Sequence, residues 1–272
     1  MDSRRQLYCE KIQQFCLMDD TFMSKVFEDK KCAELLLKII LEKDLHVKKA
    51  VSQFGVKNLQ GRSVRLDIFA EDDTGIQYNI EVQREDSGAI PERARYNSSL
   101  IDANVTDPGE DLKNLPECYV IFITENDVLN GGLPLYSIER TIRELDHRNF
   151  NDRSHIIYVN GSIRDETALG KLMQDFFCKR SEDMHYKELS ERTGFFKNDE
   201  EGEDKMCEIM EEIRLAGYTE GEEKGKVEGE RGKMIETALN MLRKKKYSIE
   251  EISEISGMSV DDVNKLAEEN NL

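Results

Sequence analysis

From Val64 to Arg84 apolar and polar residues alternate with period two, break at Asp73-Thr74-Gly75, and alternate again. That period belongs to half-buried strands, so the segment reads as a β-hairpin. The first strand sets Val64, Leu66, Ile68 and Ala70 on one face and Arg65, Asp67 and Phe69 on the other. The second sets Ile76, Tyr78, Ile80 and Val82 against Gln77, Asn79, Glu81 and Gln83. A three-residue loop with Gly75 at the positive-φ position closes on Asp72 and Ile76. The register that follows pairs Ala70 with Tyr78, Ile68 with Ile80 and Asp67 with Glu81. A slip of one residue would send the two apolar sets to opposite faces.

Upstream, residues 1–18 read as a lead-in helix, and Asp19-Asp20 as the cap of a second helix carrying Phe22, Val26 and Phe27. Cys32 to Leu41 reads as a third helix, and Val47 to Lys57 as a strand completing an antiparallel meander with the hairpin. Pro91 suits the first turn of a helix running to about Val105, with Arg93, Tyr96 and Leu100 on one face. Residues 106–116 are turn-rich. Cys118 to Thr124 is unbroken apolar text, as in a strand covered on both faces, and His155 to Val159 is similar. Between those strands Gly131-Gly132 and Pro134 mark a loop, with a helix expected beyond it.

A helical stretch follows from Glu166 to Glu191, then a break over Thr193 to Glu203, then a helix from Met206. Gly217, Gly221, Gly225 and Gly229 recur every four residues among Glu and Lys. Each glycine weakens an exposed helix by about 1 kcal/mol, so a hinge or half-formed helix is expected. The last forty or so residues read as helices over Met234 to Lys245, Ser248 to Ser256 and Ser259 to Asn270. Ser248 with Glu251 forms a capping box, and Gly257 is a stop. The expected organisation is a mixed α/β domain over 1–192, a charged glycine-repeat linker over 193–233 and a small helical tail over 234–272.

Composition narrows the class. With 38% hydrophobic and 35% charged residues, the chain has apolar text for one sizeable core under solvated helices. The formal net charge of −17 weighs against a nucleic-acid partner unless a local groove is basic or a bound cation supplies positive charge. Six cysteines without a CxxC pair point to reduced thiols and a cytoplasmic location. The start, MDSRRQLYCEK, lacks a signal-like apolar run, and no stretch has transmembrane length, so no membrane partner is expected. The scattered histidines offer no zinc spacing, and no glycine-rich phosphate loop indicates a nucleotide cofactor.

The polar face of the hairpin is the candidate chemistry. Asp67 and Glu81 directly opposite would stand roughly 5 Å apart at Cβ, and like charges so placed repel. A divalent cation would relieve them, and Mg²⁺ prefers carboxylate oxygens. Gln83 points to the same face. The plain alternative is a solvated polar face with no metal.

Asp67 followed by Glu81-Val82-Gln83 resembles the PD-(D/E)xK nuclease signature. The text around it, GRSVRLDIFAED, GIQYNIEVQR and ERARYNSSLID, is similar to the recombination-promoting nuclease/transposase branch of that superfamily. The likeness covers Asp19 to Thr124 well and the rest loosely. Leu66 stands where the name-giving proline would be, and Gln83 where the lysine would be. The resemblance implies a restriction-endonuclease-like mixed sheet flanked by helices. It implies Mg²⁺ held by Asp67, Glu81 and the carbonyl of Val82, with Gln83 orienting the attacking water. It further implies Arg93 on a DNA phosphate with Tyr96 packed beside it, against a surface arginine and a core tyrosine as the structural alternative. Superfamily members often carry an acid on the first core helix, and Glu34 is the candidate by placement, though a charged residue edging an apolar stripe is the favoured reading of it.

Two functions remain open on these residues. One is an Mg²⁺-dependent DNA endonuclease acting in recombination or transposon-like mobility, expected as a homodimer if it cuts both strands. The other is a catalytically inactive nuclease-fold protein serving as an interaction or DNA-binding module. The tail resembles a helix-turn-helix, but its last helix offers Asp261, Asp262, Glu268 and Glu269 against Lys265, which favours protein contact over the groove of DNA.

Overall fold

A computed structural model describes residues 3–58, 61–106, 109–270 and 272. Met1 and Asp2 of the lead-in helix, and Asp107-Pro108 of the turn-rich connection, lie outside the described residues. The chain divides into two compact units, residues 1–207 and 208–272.

The first unit opens with helices α1 (Ser3–Gln14), α2 (Asp20–Phe27) and α3 (Lys30–Leu41). Asp29 caps α3 by accepting from the N–H groups of Lys31 and Cys32. Asp19 occupies the N-cap position of α2 but its side chain does not cap it; Asp19 Oδ2 accepts from Cys16 N at 2.8 Å instead.

Strands β1 (Val47–Val56), β2 (Val64–Asp72) and β3 (Gln77–Gln83) form the expected antiparallel meander. The hairpin register is the one the alternation dictates: Ala70 opposes Tyr78 and Ile68 opposes Ile80. Gly75 takes φ +85°, and Asp72 ties the turn by accepting from Thr74 N, Thr74 Oγ1, Ile76 N and Tyr78 Oη. The helix α4 (Pro91–Val105) crosses over to β4 (Cys118–Thr124), which pairs parallel with β3. Every residue of β4 is buried, as its unbroken apolar text requires.

The glycine-punctuated stretch after β4 differs from expectation. It forms β5 (Leu135–Ile138) and a small hairpin of β6 (Thr141–Ile142) and β7 (Arg148–Asn149), with no α-helix. β-branched Ile138, Thr141 and Ile142 favour extended backbone there. β8 (Ser154–Asn160) lies parallel to β4 and antiparallel to β5, giving a six-stranded mixed sheet in the order β1-β2-β3-β4-β8-β5.

Helix α4 covers one face of this sheet, where Ala94, Leu100 and Ile101 meet Leu66, Phe69, Val120 and Phe122. Helices α2 and α3 lie against β1, and α5 (Ala168–Phe177) joins them through a Phe27–Phe176 stack with centroids 5.7 Å apart.

The expected break over Thr193 to Glu203 is narrower. Helix α6 (Lys187–Asn198) runs through most of it and α7 (Glu200–Lys244) begins at once. Only Asp199 interrupts, and its carboxylate accepts from Glu201 N and Gly202 N to start the new helix.

Helix α7 is continuous across Gly217, Gly221, Gly225 and Gly229, where a hinge was expected. Among the described residues, no atom beyond the local helix backbone lies within 4 Å of where a Cβ would stand at any of the four. The intervening Glu and Lys are good helix formers and sustain the helix.

The second unit holds the rest of α7 with α8 (Ile249–Ser256) and α9 (Val260–Asn270) around Ala238, Met241, Leu242, Ile252 and Val263. Both bonds of the Ser248–Glu251 capping box are made, and Gly257 at φ +76° ends α8.

Candidate active site

The β2–β3 ladder pairs Glu71 through Ile68 with Gln77 through Ile80. One step further the side chains take over. Asp67 N–H donates to Glu81 Oε1 at 3.4 Å, and Val82 N–H donates to Asp67 Oδ2 at 3.0 Å. Both carboxylates therefore sit at the same end of the hairpin, on one side of the sheet. Asp67 is 9% exposed and Glu81 0%. That burial removes the solvated-face alternative. β3 is flanked by β2 and β4, so the polar side of the hairpin lies in the interior.

One cation meets the pair. Arg93, from α4, bonds Glu81 Oε2 through Nη2 at 2.7 Å. Its Nη1 donates to the Gly88 carbonyl at 3.0 Å and approaches Gln83 Oε1 at 3.5 Å. Gln83 is half-buried and packed so closely on Gly88 that a Cβ there would stand 2.0 Å from Gln83 Oε1. Tyr96 is half-buried three residues further along α4. Its hydroxyl donates to the Arg62 carbonyl at 2.5 Å and accepts from Asn58 Nδ2 at 3.0 Å. It pins the β1–β2 connection to α4.

Glu34 is not at this site. Its Oε2 accepts from Val47 N at 3.0 Å, and its Oε1 pairs with Lys38 at 3.0 Å and His46 at 3.3 Å. Val47 opposes Asp72 while Phe54 opposes Leu66, so Glu34 is committed five residues, ~17 Å, along the sheet from Asp67. From the helical layer, Asp20, the first residue of α2, adds its charge to the field on the Asp67 carboxyl. Arg84 fixes that helix start by pairing with Asp19 Oδ1 at 3.1 Å and donating to the Met18 carbonyl at 3.2 Å. In the sequence Asp19 and Asp20 were indistinguishable as caps. The distinguishing partner, Arg84, is 65 residues from Asp19.

Burial, then the Glu81 charge, then Asp20 push the Asp67 carboxyl up to about 8. Burial also raises Glu81, and the Arg93 guanidinium opposes that rise. Without a cation the pair thus keeps a proton into the neutral range, as two acids sharing one buried place do.

The donor set fits a hard divalent cation. Among the described residues no three His, Cys, Asp or Glu side chains converge on one point. Mg²⁺ asks for no such cage: it is commonly held by one or two carboxylates together with water and substrate phosphates. Asp67 Oδ1 accepts no hydrogen bond from the described residues, and once both acids are ionised they carry more negative charge than Arg93 alone offsets.

A family model described as PD-(D/E)XK nuclease family transposase matches residues 28–251. No curated protein and no solved structure matches the chain. The matched span carries the mixed six-strand sheet with its flanking helices, Asp67, Glu81, Val82, Gln83, Arg93 and Tyr96, and membership supports a nuclease-type function. By sequence family and by fold, the chain belongs to the PD-(D/E)XK nuclease family transposases.

Proposed function

We propose that the protein is an Mg²⁺-dependent DNA endonuclease acting in recombination or transposon-like mobility. The observation that carries this reading is the buried Asp67–Glu81 pair at one end of the β2–β3 hairpin, backed by a single guanidinium. Asp67 and Glu81, with the Val82 carbonyl, are the groups that would hold the ion. A divalent cation held there lowers the pKa of a bound water and offsets charge on the reacting phosphate.

This chain's own groups supply the rest. Gln83, steadied against Gly88, offers its amide N–H to the attacking water or a phosphate oxygen. Arg93, with Nη atoms toward both Glu81 and Gln83, brings positive charge that a lysine at position 83 would otherwise bring, and faces the phosphate. Tyr96 keeps the β1–β2 connection against α4 beside it. Asp20 adds negative field on the α2 side, favouring a cation over an empty pair. Cutting both strands of a duplex takes two such sites, so the active form is a homodimer. Among the described residues no helix is long and apolar enough to cross a membrane.

A non-catalytic interaction module is the second reading, favoured by Gln83 in place of lysine and by the net charge of −17. One experiment separates the two. Supercoiled plasmid is incubated with Mg²⁺ and the wild type, Asp67→Ala or Glu81→Ala. The nuclease reading expects nicking or linearisation by the wild type and at least a hundredfold loss in each variant. No cutting, equal cutting by all three, or cutting that needs no divalent ion removes it.

A further inference from the structure

A cavity of about 760 Å³ opens beside the acid pair, between the start of β2 and α4. Its size falls within the ~300–1,000 Å³ of ligand clefts. In a chain of net charge −17, its charged lining is four arginines, Arg62, Arg65, Arg93 and Arg95, against one acid, Glu92. Arg93 belongs both to this cavity and to the acid pair, through its 2.7 Å bond to Glu81. Arg62, Arg65 and Arg95 are exposed and make no ion pair or side-chain hydrogen bond with the described residues. Among the described residues nothing accounts for three cations gathered there. Like charges held together cost stability, so the arrangement suits an anion brought from outside.

The cavity is not only basic. Val64, Tyr96 and the 46%-exposed Ile90 line it with apolar surface. Asn97, also lining it, is 1% exposed, and its Oδ1 has no hydrogen-bond partner among the described residues. A buried acceptor left unpaired costs roughly 1–3 kcal/mol. A ligand that brings an N–H or O–H into the cavity satisfies it. The one ligand class that presents phosphates to arginines, a flat apolar face to Ile90 and Tyr96, and polar hydrogens to an amide oxygen is a nucleotide.

We propose that this cavity seats one nucleotide of the substrate strand, flanking the phosphate at the acid pair. Arg62, Arg65 and Arg95 take the backbone phosphates, Ile90 and Tyr96 carry the base, and Asn97 accepts from its edge. The Tyr96 hydroxyl, bound to the Arg62 carbonyl, holds the Arg62 arm in place. The inference rests on the nuclease reading for its substrate, but its test reads binding alone.

Fluorescence anisotropy with a labelled single-stranded oligonucleotide, in Ca²⁺ over a salt series, compares the wild type with Arg62→Gln/Arg65→Gln/Arg95→Gln and with Asn97→Ala. A thermal melt verifies folding of each. The triple variant should bind at least tenfold more weakly. Its plot of log affinity against log salt should flatten by about 2, since each single-strand phosphate contact contributes about 0.7 to the slope. Asn97→Ala should weaken binding several-fold at an unchanged slope. A folded triple variant that binds within twofold of wild type at the same slope overturns the proposal, as does a wild type that does not bind the strand. Displacement of the strand by equimolar mononucleotide overturns it too, since the cavity would then serve a free nucleotide. Strand binding by a wild type that cuts no plasmid leaves this groove standing while the nuclease reading falls.

Discussion

Asp67 and Glu81 are each bonded to the backbone of the other's strand: the Asp67 N–H reaches Glu81 Oε1 at 3.4 Å, and Asp67 Oδ2 takes the N–H of Val82 at 3.0 Å. Two buried acids thus stand in for the ladder's next backbone bonds. The exchange holds their oxygens in place before any ligand arrives. It also concentrates negative charge where water cannot screen it.

The cost of that arrangement gives a pH dependence. An Asp67 carboxyl raised to about 8 binds its proton more tightly folded than unfolded. Between pH 4 and 8 the unfolded chain has released that proton and the folded chain has not, so stability falls as pH rises through this window. The metal-free wild type should therefore melt at lower temperature at pH 8.5 than at pH 6. Asp67→Asn, which cannot ionise, should flatten that difference. Mg²⁺ should restore the melting temperature of the wild type at pH 8.5 and leave Asp67→Asn unmoved. Differential scanning calorimetry across pH reads all three, and identical pH profiles for wild type and Asp67→Asn would count against the coupled pair.

Gly88 is needed for the space it leaves. A Cβ there would stand 2.0 Å from Gln83 Oε1, and the Gly88 carbonyl also holds Arg93. Gly88→Ala should push the Gln83 amide from its place and lower cleavage by about 10²-fold, the scale of a 1 Å misplacement at a reacting centre. Gly88→Ala with Gln83→Ala should be no worse than Gln83→Ala alone, because the clash is gone. Plasmid cleavage rates of the three variants decide it.

A structural cation sits away from the site. Lys197 is 2% exposed, and its Nζ donates to the carbonyls of Phe15 and Lys179 at 2.5 Å and of Gln13 at 3.3 Å. It ties the end of α1 to the segment after α5. Burial pushes its ammonium down to about 8. Lys197→Met keeps the packing volume but leaves these carbonyls without a donor. It should cost about 2 kcal/mol in urea unfolding. An unchanged midpoint would mean that water replaces the ammonium there.

What the sequence reveals here is local. The hairpin and its register follow from alternation and from Gly75, and both are set within about twenty residues. Cys118 to Thr124 announces a buried strand by composition alone. The same reasoning leaves both readings of Glu34 standing, because helical position does not say which end of β1 a side chain meets. It passes over β5, whose four residues carry too little pattern. It cannot see the arginine groove, since Arg62 and Arg95 meet only where the β1–β2 connection folds against α4. The hinge read into the α7 glycines fails for a related reason: propensity counts the glycines and undercounts the Glu and Lys between them.

Asp67 and Glu81 are proposed to share one hard cation. Crystals soaked in Mn²⁺, a carboxylate-seeking substitute for Mg²⁺ with an anomalous signal, test it most directly. The expected result is a single strong anomalous peak bonded to carboxylate oxygens of both Asp67 and Glu81, at about 2.1 Å, absent from Asp67→Asn crystals. No peak between these two residues, with Glu81 still bonded to Arg93, would contradict it.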